Sequence, residues 1–338
     1  MMKEVKIGIV GLGRLGKRHA ANLRYRVPGA VLTAACSVIP DELDWVRKEL
    51  GVETTYATYE EMVEKGDVDA VFLVSTSKFH AEQIRIGLAA GKHVFSEKPM
   101  GVTIEECRTV EAAVAAHPDR HFQLGFVRRF DPSYAYAKRK IEEGAIGEPF
   151  LVRAQTVDLD EYAEFQIAFV PNSGGIFMDM NSHDIDLARW FLGSEVKSVY
   201  AIGGSYAHQG FAEVNDADNT VALCRFEDGK MAVISASRTA FHGHDTHTEI
   251  TGTKGILKIG MTPSKNRVEI FDAQGARQDC VQDFYERFEE GFLREAQSFV
   301  AGILSGTKPT VYAVDGTRAT EVGFALSTSF REGQVVEL

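Results

Sequence analysis

Val5-Lys6-Ile7-Gly8-Ile9-Val10-Gly11-Leu12-Gly13-Arg14-Leu15-Gly16 is the stretch on which the fold turns. An apolar run ends in G-x-G-x-x-G, and a helical pattern starts at Arg14 with no spacer between them. Gly11 permits the tight turn, Gly13 lets backbone approach a pyrophosphate, and Gly16 lets the helix lie close on the strand. The unpaired N–H groups at the helix start then face the anion. A glycine loop alone is common; the strand before it and the helix after it give it meaning. Gly11, Leu12, Gly13, Arg14, Leu15 and Gly16 are therefore expected to cradle a dinucleotide.

The pattern continues downstream. Short, nearly all-apolar runs at Val31–Ser37, Ala70–Val74, His93–Ser96 and Phe122–Gly125 alternate with helical windows at Asp41–Leu50, Tyr59–Lys65, Phe79–Ala90 and Ile104–His117. Strands apolar on both sides, separated by helices, predict a parallel sheet covered on both faces. From Pro132–Pro149 onward the texture changes. Pro132–Glu143 reads as a helix. Strand-like runs follow around Phe150–Asp158, Val196–Tyr206, Asn219–Phe226, Lys230–Ser237, Thr246–Thr251, Gly255–Ile259 and Arg267–Phe271. Glu227-Asp228-Gly229 is a hairpin signal between two of them. One helix at about Met180–Phe191 interrupts the strands, and two more, Tyr285–Leu304 and Asp315–Phe330, close the chain. The expected fold is α/β: an N-terminal Rossmann doubly wound parallel sheet over residues 1–125. Residues 126–338 form a C-terminal α+β domain with a large, mostly antiparallel open sheet.

A dinucleotide fold usually places Asp or Glu at the end of the second strand, where it holds the ribose 2′-hydroxyl of NAD. Here that strand ends Ala35-Cys36-Ser37-Val38. Ser37 brings no charge to repel a 2′-phosphate and Arg14 stands ready to meet one, so NAD is expected with NADP tolerated.

The 338 residues carry 48 Asp+Glu against 37 Lys+Arg, a formal charge of −11. That balance argues against nucleic acid or an anionic membrane as the main partner, since both call for clustered Lys/Arg. Four cysteines, Cys36, Cys107, Cys224 and Cys280, stand singly; their spacing suits neither a zinc site nor a disulfide framework. No signal peptide and no run long enough for a membrane helix is evident. A cytoplasmic protein is expected.

Two further motifs accompany the glycine loop: Ser96-Glu97-Lys98-Pro99, and Ser173-Gly174-Gly175-Ile176-Phe177-Met178-Asp179-Met180-Asn181-Ser182-His183. Together the three resemble the family of glucose–fructose oxidoreductase and inositol dehydrogenase (Gfo/Idh/MocA), over essentially the whole chain. Gly243–Gly252 followed by Thr253-Lys254-Gly255 is most similar to the inositol dehydrogenases, particularly those acting on scyllo-inositol. The resemblance implies oxidation of a secondary hydroxyl of a cyclic polyol, scyllo- or myo-inositol, to a ketone. It also implies a homo-oligomer, dimer or tetramer, joined through the open face of the second-domain sheet.

On that resemblance Lys98, Asp179 and His183 occupy the catalytic positions. Asp179 and His183 are four apart, so on one helix they would share a face. The carboxylate would orient the imidazole, the imidazole would take the hydroxyl proton, and Lys98 would hold the developing alkoxide. The resemblance further implies cofactor contacts at Ser75, Thr76, His80, Glu97 and Arg128, with Arg129 not separable from Arg128 by pattern. Asp158 matches a polar substrate-facing position. His242 and His244 stand where many inositol dehydrogenases carry a substrate-facing Tyr, which leaves the identity of the polyol open. On a strand these two would share a face, with His247 on the other. No third ligand is evident nearby, so no metal is expected. An aldose or deoxysugar dehydrogenase, an NAD-dependent glycosidase and a non-catalytic sugar sensor remain as alternatives.

Overall fold

The computed structural model describes residues 3–338. The chain divides into two compact units, one holding residues up to Asp131 together with Glu290–Arg318, the other Pro132–Glu289 with Ala319–Leu338. The return of 290–318 to the first unit is not foreshadowed by a single boundary near 125.

In the first unit β1 (Val5–Val10), β2 (Ala30–Cys36), β3 (Thr55–Tyr56), β4 (Ala70–Leu73), β5 (His93–Glu97) and β6 (Phe122–Gly125) form one parallel sheet in the order β3-β2-β1-β4-β5-β6. The order reverses between β1 and β4, so the loop after β1 opens at the switch point where such sheets take ligands. The crossovers are α1 (Arg14–Tyr25), α2 (Pro40–Leu50), α3 (Tyr59–Lys65), α4 (His80–Ala89) and α5 (Ile104–Ala116). Each predicted strand here is present to within a residue or two; β3, two residues long, is too short to show a period. Thr103 starts α5 with a capping box: Glu106 N donates to Thr103 Oγ1 at 3.1 Å and Thr103 N to Glu106 Oε2 at 3.2 Å. All four residues of β4 are fully buried, and Phe72 stacks on Phe95 with ring centroids 3.8 Å apart. Ala296, Phe299 and Val300 join the same core, each large side chain contributing about 1.5–3 kcal/mol.

The second unit begins with α6 (Pro132–Glu142) and β7 (Pro149–Leu159), followed by three helices, α7 (Ala163–Ser173), α8 (Ile176–Asp179) and α9 (Ser182–Leu192). β8 (Val196–Gly204), α10 (Gly210–Glu213), β9 (Asn219–Phe226), β10 (Met231–Ala240), β11 (Asp245–Gly252), β12 (Gly255–Ile259), β13 (Ile270–Asp272) and β14 (Gly275–Arg277) come next. α11 (Phe284–Ser305), kinked at Phe288, and α12 (Ala313–Glu332) close the chain with β15 (Val336–Glu337). The sheet runs β12-β11-β7-β10-β9-β8-β15, antiparallel except for the β7–β10 pair. The predicted hairpin is present: Gly229 has φ +85° and Phe226 N donates to Lys230 O at 2.9 Å.

The fold class is as expected, with three local corrections. Helix α7 was not foreseen because Ala163–Ser173 lacks an amphipathic period and contains Pro171. The strand expected at Arg267–Phe271 shrinks to β13, paired with β14 in a separate two-stranded ribbon. The helix expected from Met180 is preceded by α8, so Asp179 and His183 lie on successive short helices and not on one.

Candidate active site

In the first unit the glycine loop has the geometry its sequence demands. Gly11 has φ +85°, and a Cβ there would lie 2.5 Å from Val74 O. A Cβ on Gly16 would collide with the Gly11 carbonyl, whereas nothing lies within 4 Å of one on Gly13. The first turn of α1 carries no acidic residue. An open approach at Gly13 beside unopposed helix N–H groups fits a pyrophosphate, so Gly11–Gly16 can hold the dinucleotide.

The end of β2 differs from its sequence reading. Ser37 Oγ donates to Glu42 Oε2 at 2.5 Å, so a carboxylate from α2 stands where the strand itself offers none. Glu42 lies five positions beyond Ser37, in the first turn of the helix that Pro40 opens, beyond the fixed spacing of the fingerprint.

Ser75 and Thr76 follow β4, with Ser75 Oγ donating to Gln83 Oε1 at 2.6 Å. His80 is 1% exposed, its Nδ1 2.7 Å from Pro99 O and its Nε2 2.9 Å from Ser75 O. Both partners are carbonyl oxygens and only accept. Burial lowers the imidazole pKa, against the pull of those two carbonyls. His80 thus staples the Ser75 turn to the segment after Lys98, and the ring itself is sealed. Arg129 pairs with Asp315 at 3.0 Å and donates to Thr310 O at 3.2 Å; Arg128 beside it is likewise buried. Glu97 ends β5 and bonds His19 Nε2 at 2.8 Å, a partner that the spacing from residue 19 to 97 conceals.

In the second unit Asp158 lies at the end of β7. His244 Nδ1 donates to Asp158 Oδ1 at 2.8 Å and Gln166 Nε2 to Oδ2 at 3.0 Å. The Asp158 side chain is 25% exposed and that of His244 only 5%, so the carboxylate is the accessible member and the imidazole orients it. His242 and His244 do not share a strand face. β11 starts only at Asp245, and Gly243, at φ +135° and pressed against Val281 O, breaks the alternation. The His242 side chain is 52% exposed, with Nε2 3.6 Å from Asp245. Gln166 on α7 went unnoticed because its helix did.

Asp179 ends α8, and the start of that helix is clamped. Gly174 and Gly175 take φ +80° and +85°, and Ile176 N donates to both carboxylate oxygens of Asp216, at 3.2 and 3.1 Å. Arg238 Nη1 donates to Asp216 Oδ2 at 2.7 Å, and its guanidinium lies 4.7 Å from the Phe211 ring centroid. His183 stands in the first turn of α9. Just before it Asn181 Nδ2 donates to Asp184 Oδ2 at 3.0 Å and to Ser235 O at 3.2 Å, while Thr156 Oγ1 donates to Asp184 Oδ2 at 2.7 Å. The segment 176–184 is thus held at both ends by buried polar groups. Neither Asp216 nor Arg238 lies in a motif that would single it out in the sequence.

Comparisons with known proteins agree over the whole chain. Residues 5–126 match the family model of the oxidoreductase family with an NAD-binding Rossmann fold, and 134–258 that of the GFO/IDH/MocA C-terminal domain. The chain is 36% identical over 338 residues to the scyllo-inositol 2-dehydrogenase (NAD(+)) of Bacillus subtilis, covering 100% of this chain and 97% of that one. It is 35% identical to the myo-inositol 2-dehydrogenase of Thermotoga maritima, covering 99% and 98%. The crystal structure of scyllo-inositol dehydrogenase from Lactobacillus casei with bound cofactor NAD(H) and scyllo-inositol superposes with a TM-score of 0.96 at 45% identity, covering 99% of both chains.

Proposed function

The chain belongs to the GFO/IDH/MocA oxidoreductase family, and from that premise we propose that it oxidises a secondary hydroxyl of scyllo- or myo-inositol to the ketone. The observation that carries this reading is the full-length match to a chain solved with NAD(H) and scyllo-inositol.

Bound NAD supplies the hydride acceptor. The chain's own groups handle the proton and the charge. His183 takes the hydroxyl proton, Asp179 steadies the imidazolium that results, and Lys98 stabilises the alkoxide as it develops. Asp158, held by His244 and Gln166, accepts from a further hydroxyl; an unpartnered buried hydroxyl would cost about 1–3 kcal/mol. Arg128, Glu97, Ser75 and Thr76 serve the cofactor beside the glycine loop. NAD is preferred to NADP, because the Glu42 carboxylate beside Ser37 would repel a 2′-phosphate.

We assign the cofactor to the first unit, and the substrate and self-association to the second. Tyr200, Ile202, Val221, Leu223 and Met231 expose 36–55% of their surface on one face of β8, β9 and β10, and Tyr200–Leu223 and Ile202–Val221 are cross-strand pairs. Such a face is too apolar for water and fits a second copy of the chain. Among the described residues no helix is long and apolar enough to cross a membrane, and the cysteines are free thiols, in keeping with a reducing cytoplasm.

A panel of inositols and aldoses with NAD and NADP, read as formation of the reduced cofactor, tests the assignment. Turnover of an inositol with NAD is expected, with His183→Ala lowering kcat at least about a hundredfold. No turnover with any inositol overturns the substrate, and a higher kcat/KM with NADP overturns the cofactor preference.

A further inference from the structure

Asp179 closes a helix of only 4 residues, too short to hold itself by propagating hydrogen bonds. Its cap residue, Gly175, has no side chain to offer, and the acceptor comes from a residue 40 positions further on. Both oxygens of Asp216 take the Ile176 N–H, and a Cβ on Gly175 would lie 3.0 Å from Asp216 Oδ1. Glycine at 175 thus supplies the positive φ and also the room for the carboxylate.

Asp216 is itself fixed. Its N–H donates to Phe211 O at 2.9 Å, and Arg238 Nη1 donates to its Oδ2 at 2.7 Å. Arg238 stands on β10, the middle strand of the seven in the sheet of the second unit. Its N–H is bonded to Asp218 O at 2.8 Å. From Ile176 the hydrogen bonds run on toward the motif residues. Asp179 N donates to Gly175 O at 2.9 Å, and Ile176 O accepts from Met180 N at 3.0 Å and Asn181 N at 3.3 Å. Ile185 N donates to Asn181 O at 2.8 Å, closing the first turn of α9 around His183. Apolar side chains often replace a buried ion pair with no loss of stability. They cannot replace its acceptor, which fixes the Ile176 N–H in one direction and at one distance.

We propose that Asp216 is a positioning residue for Asp179 and His183: locked to β10 by Arg238, it sets the register of α8, and through α8 that of the first turn of α9, against the sheet. This rests on the reading of Asp179 and His183 given above. A misplacement of about 1 Å at such groups lowers turnover by about a hundredfold.

Two double variants of the full chain separate positioning from stability. Asp216→Ala/Arg238→Met removes both charges and the acceptor, whereas Asp216→Asn/Arg238→Met removes the same charges and keeps an oxygen for Ile176 N. With folding checked by circular dichroism, the first is expected to lower kcat on an inositol by about ten- to a hundredfold. Its KM for NAD, bound by the first unit, is expected to stay within about twofold of wild type. The second variant is expected to return kcat to within about threefold of wild type. Equal kcat in the two overturns the positioning role. Hydrogen exchange read by mass spectrometry is expected to be about fivefold faster across residues 176–183 in the first variant than in the second. Equal exchange rates overturn the clamp. His183→Ala is assayed beside them. Wild-type turnover in that variant, or no inositol turnover in the wild type, refutes the reading of the site instead, while the exchange rates still decide whether Asp216 holds α8.

Discussion

Replacing Asp216 by Ala should cost far more than an average point change. Asp216 is 8% exposed and Arg238 1%, and they pair at 2.7 Å. Removing the carboxylate leaves a guanidinium sealed in the second unit with the Ala217 carbonyl, at 3.1 Å, and the Phe211 face around it. Breaking a buried pair from one side costs about 3–5 kcal/mol, most of it the stranded charge. The loss of the acceptor on Ile176 N, a helix-start cap worth about 1 kcal/mol, falls within that range. With a urea slope of about 1–3 kcal/mol/M, the midpoint of the second unit should fall by about 1–5 M. Trp45 lies on α2 and Trp190 on α9, so fluorescence in a Trp45→Phe background follows the second unit alone. Asp216→Ala/Arg238→Met removes both charges and should recover all but about 1 kcal/mol, the uncapped Ile176 N–H. A loss below about 1 kcal/mol for Asp216→Ala, or no recovery in the double variant, would refute the stranded-charge reasoning.

Two more outcomes are expected. Burial pushes the Asp218 carboxyl up, but the N–H groups of Tyr206, His208 and Ala207 and the Asn219 amide outweigh it, leaving its pKa below the usual range. A depressed folded pKa means stability that is full above the unfolded value of about 3.9 and is lost as pH falls below it. Asp218→Asn should therefore lower the Tm near neutrality and flatten its fall in acid, and parallel Tm–pH curves would count against it. Leu223→Asp, on the exposed face of β9, should shift light-scattering mass to the monomer with the circular dichroism spectrum unchanged. An unaltered mass would move the interface elsewhere.

Much of the first unit was legible because its signals are local. The run from Val5 to Gly16 carries strand, loop and helix in one reading, and β4 is too apolar to be anything but a covered strand. The second unit hid what depends on distant partners. Helix α7 has no period to read, and the helices either side of the break after Asp179 are held by groups far along the chain, Asp216 at Ile176 N and Ser235 O at the Asn181 amide. The site divides the same way. Lys98, Asp179 and His183 stand out in motifs, whereas Gln166 and Arg238 meet their partners, Asp158 and Asp216, only on folding. Alternation put His242 and His244 on one face because it assumes extended backbone, and Gly243 is where that assumption ends. Glu42 escaped notice because the fingerprint looks for an acid on the strand, and this one arrives from the following helix.

The core that begins at Ile7 and Ile9 is completed by Phe299 and Val300, which joins the first strand to a helix nearly three hundred residues later in one hydrophobic cluster. During synthesis the first strands emerge early but lack their closing layer until α11 has left the ribosome, a long interval for an apolar face to stay unfilled. A fragment cut at Asp131 would carry the glycine loop and every strand of its sheet, yet expose Phe72 and Phe95 where Phe299 packs in the intact chain. Any exchange of cofactor domains between relatives must therefore carry two pieces of chain, the second spanning Glu290–Arg318. The natural unit of inheritance here is the closed core, not the contiguous segment.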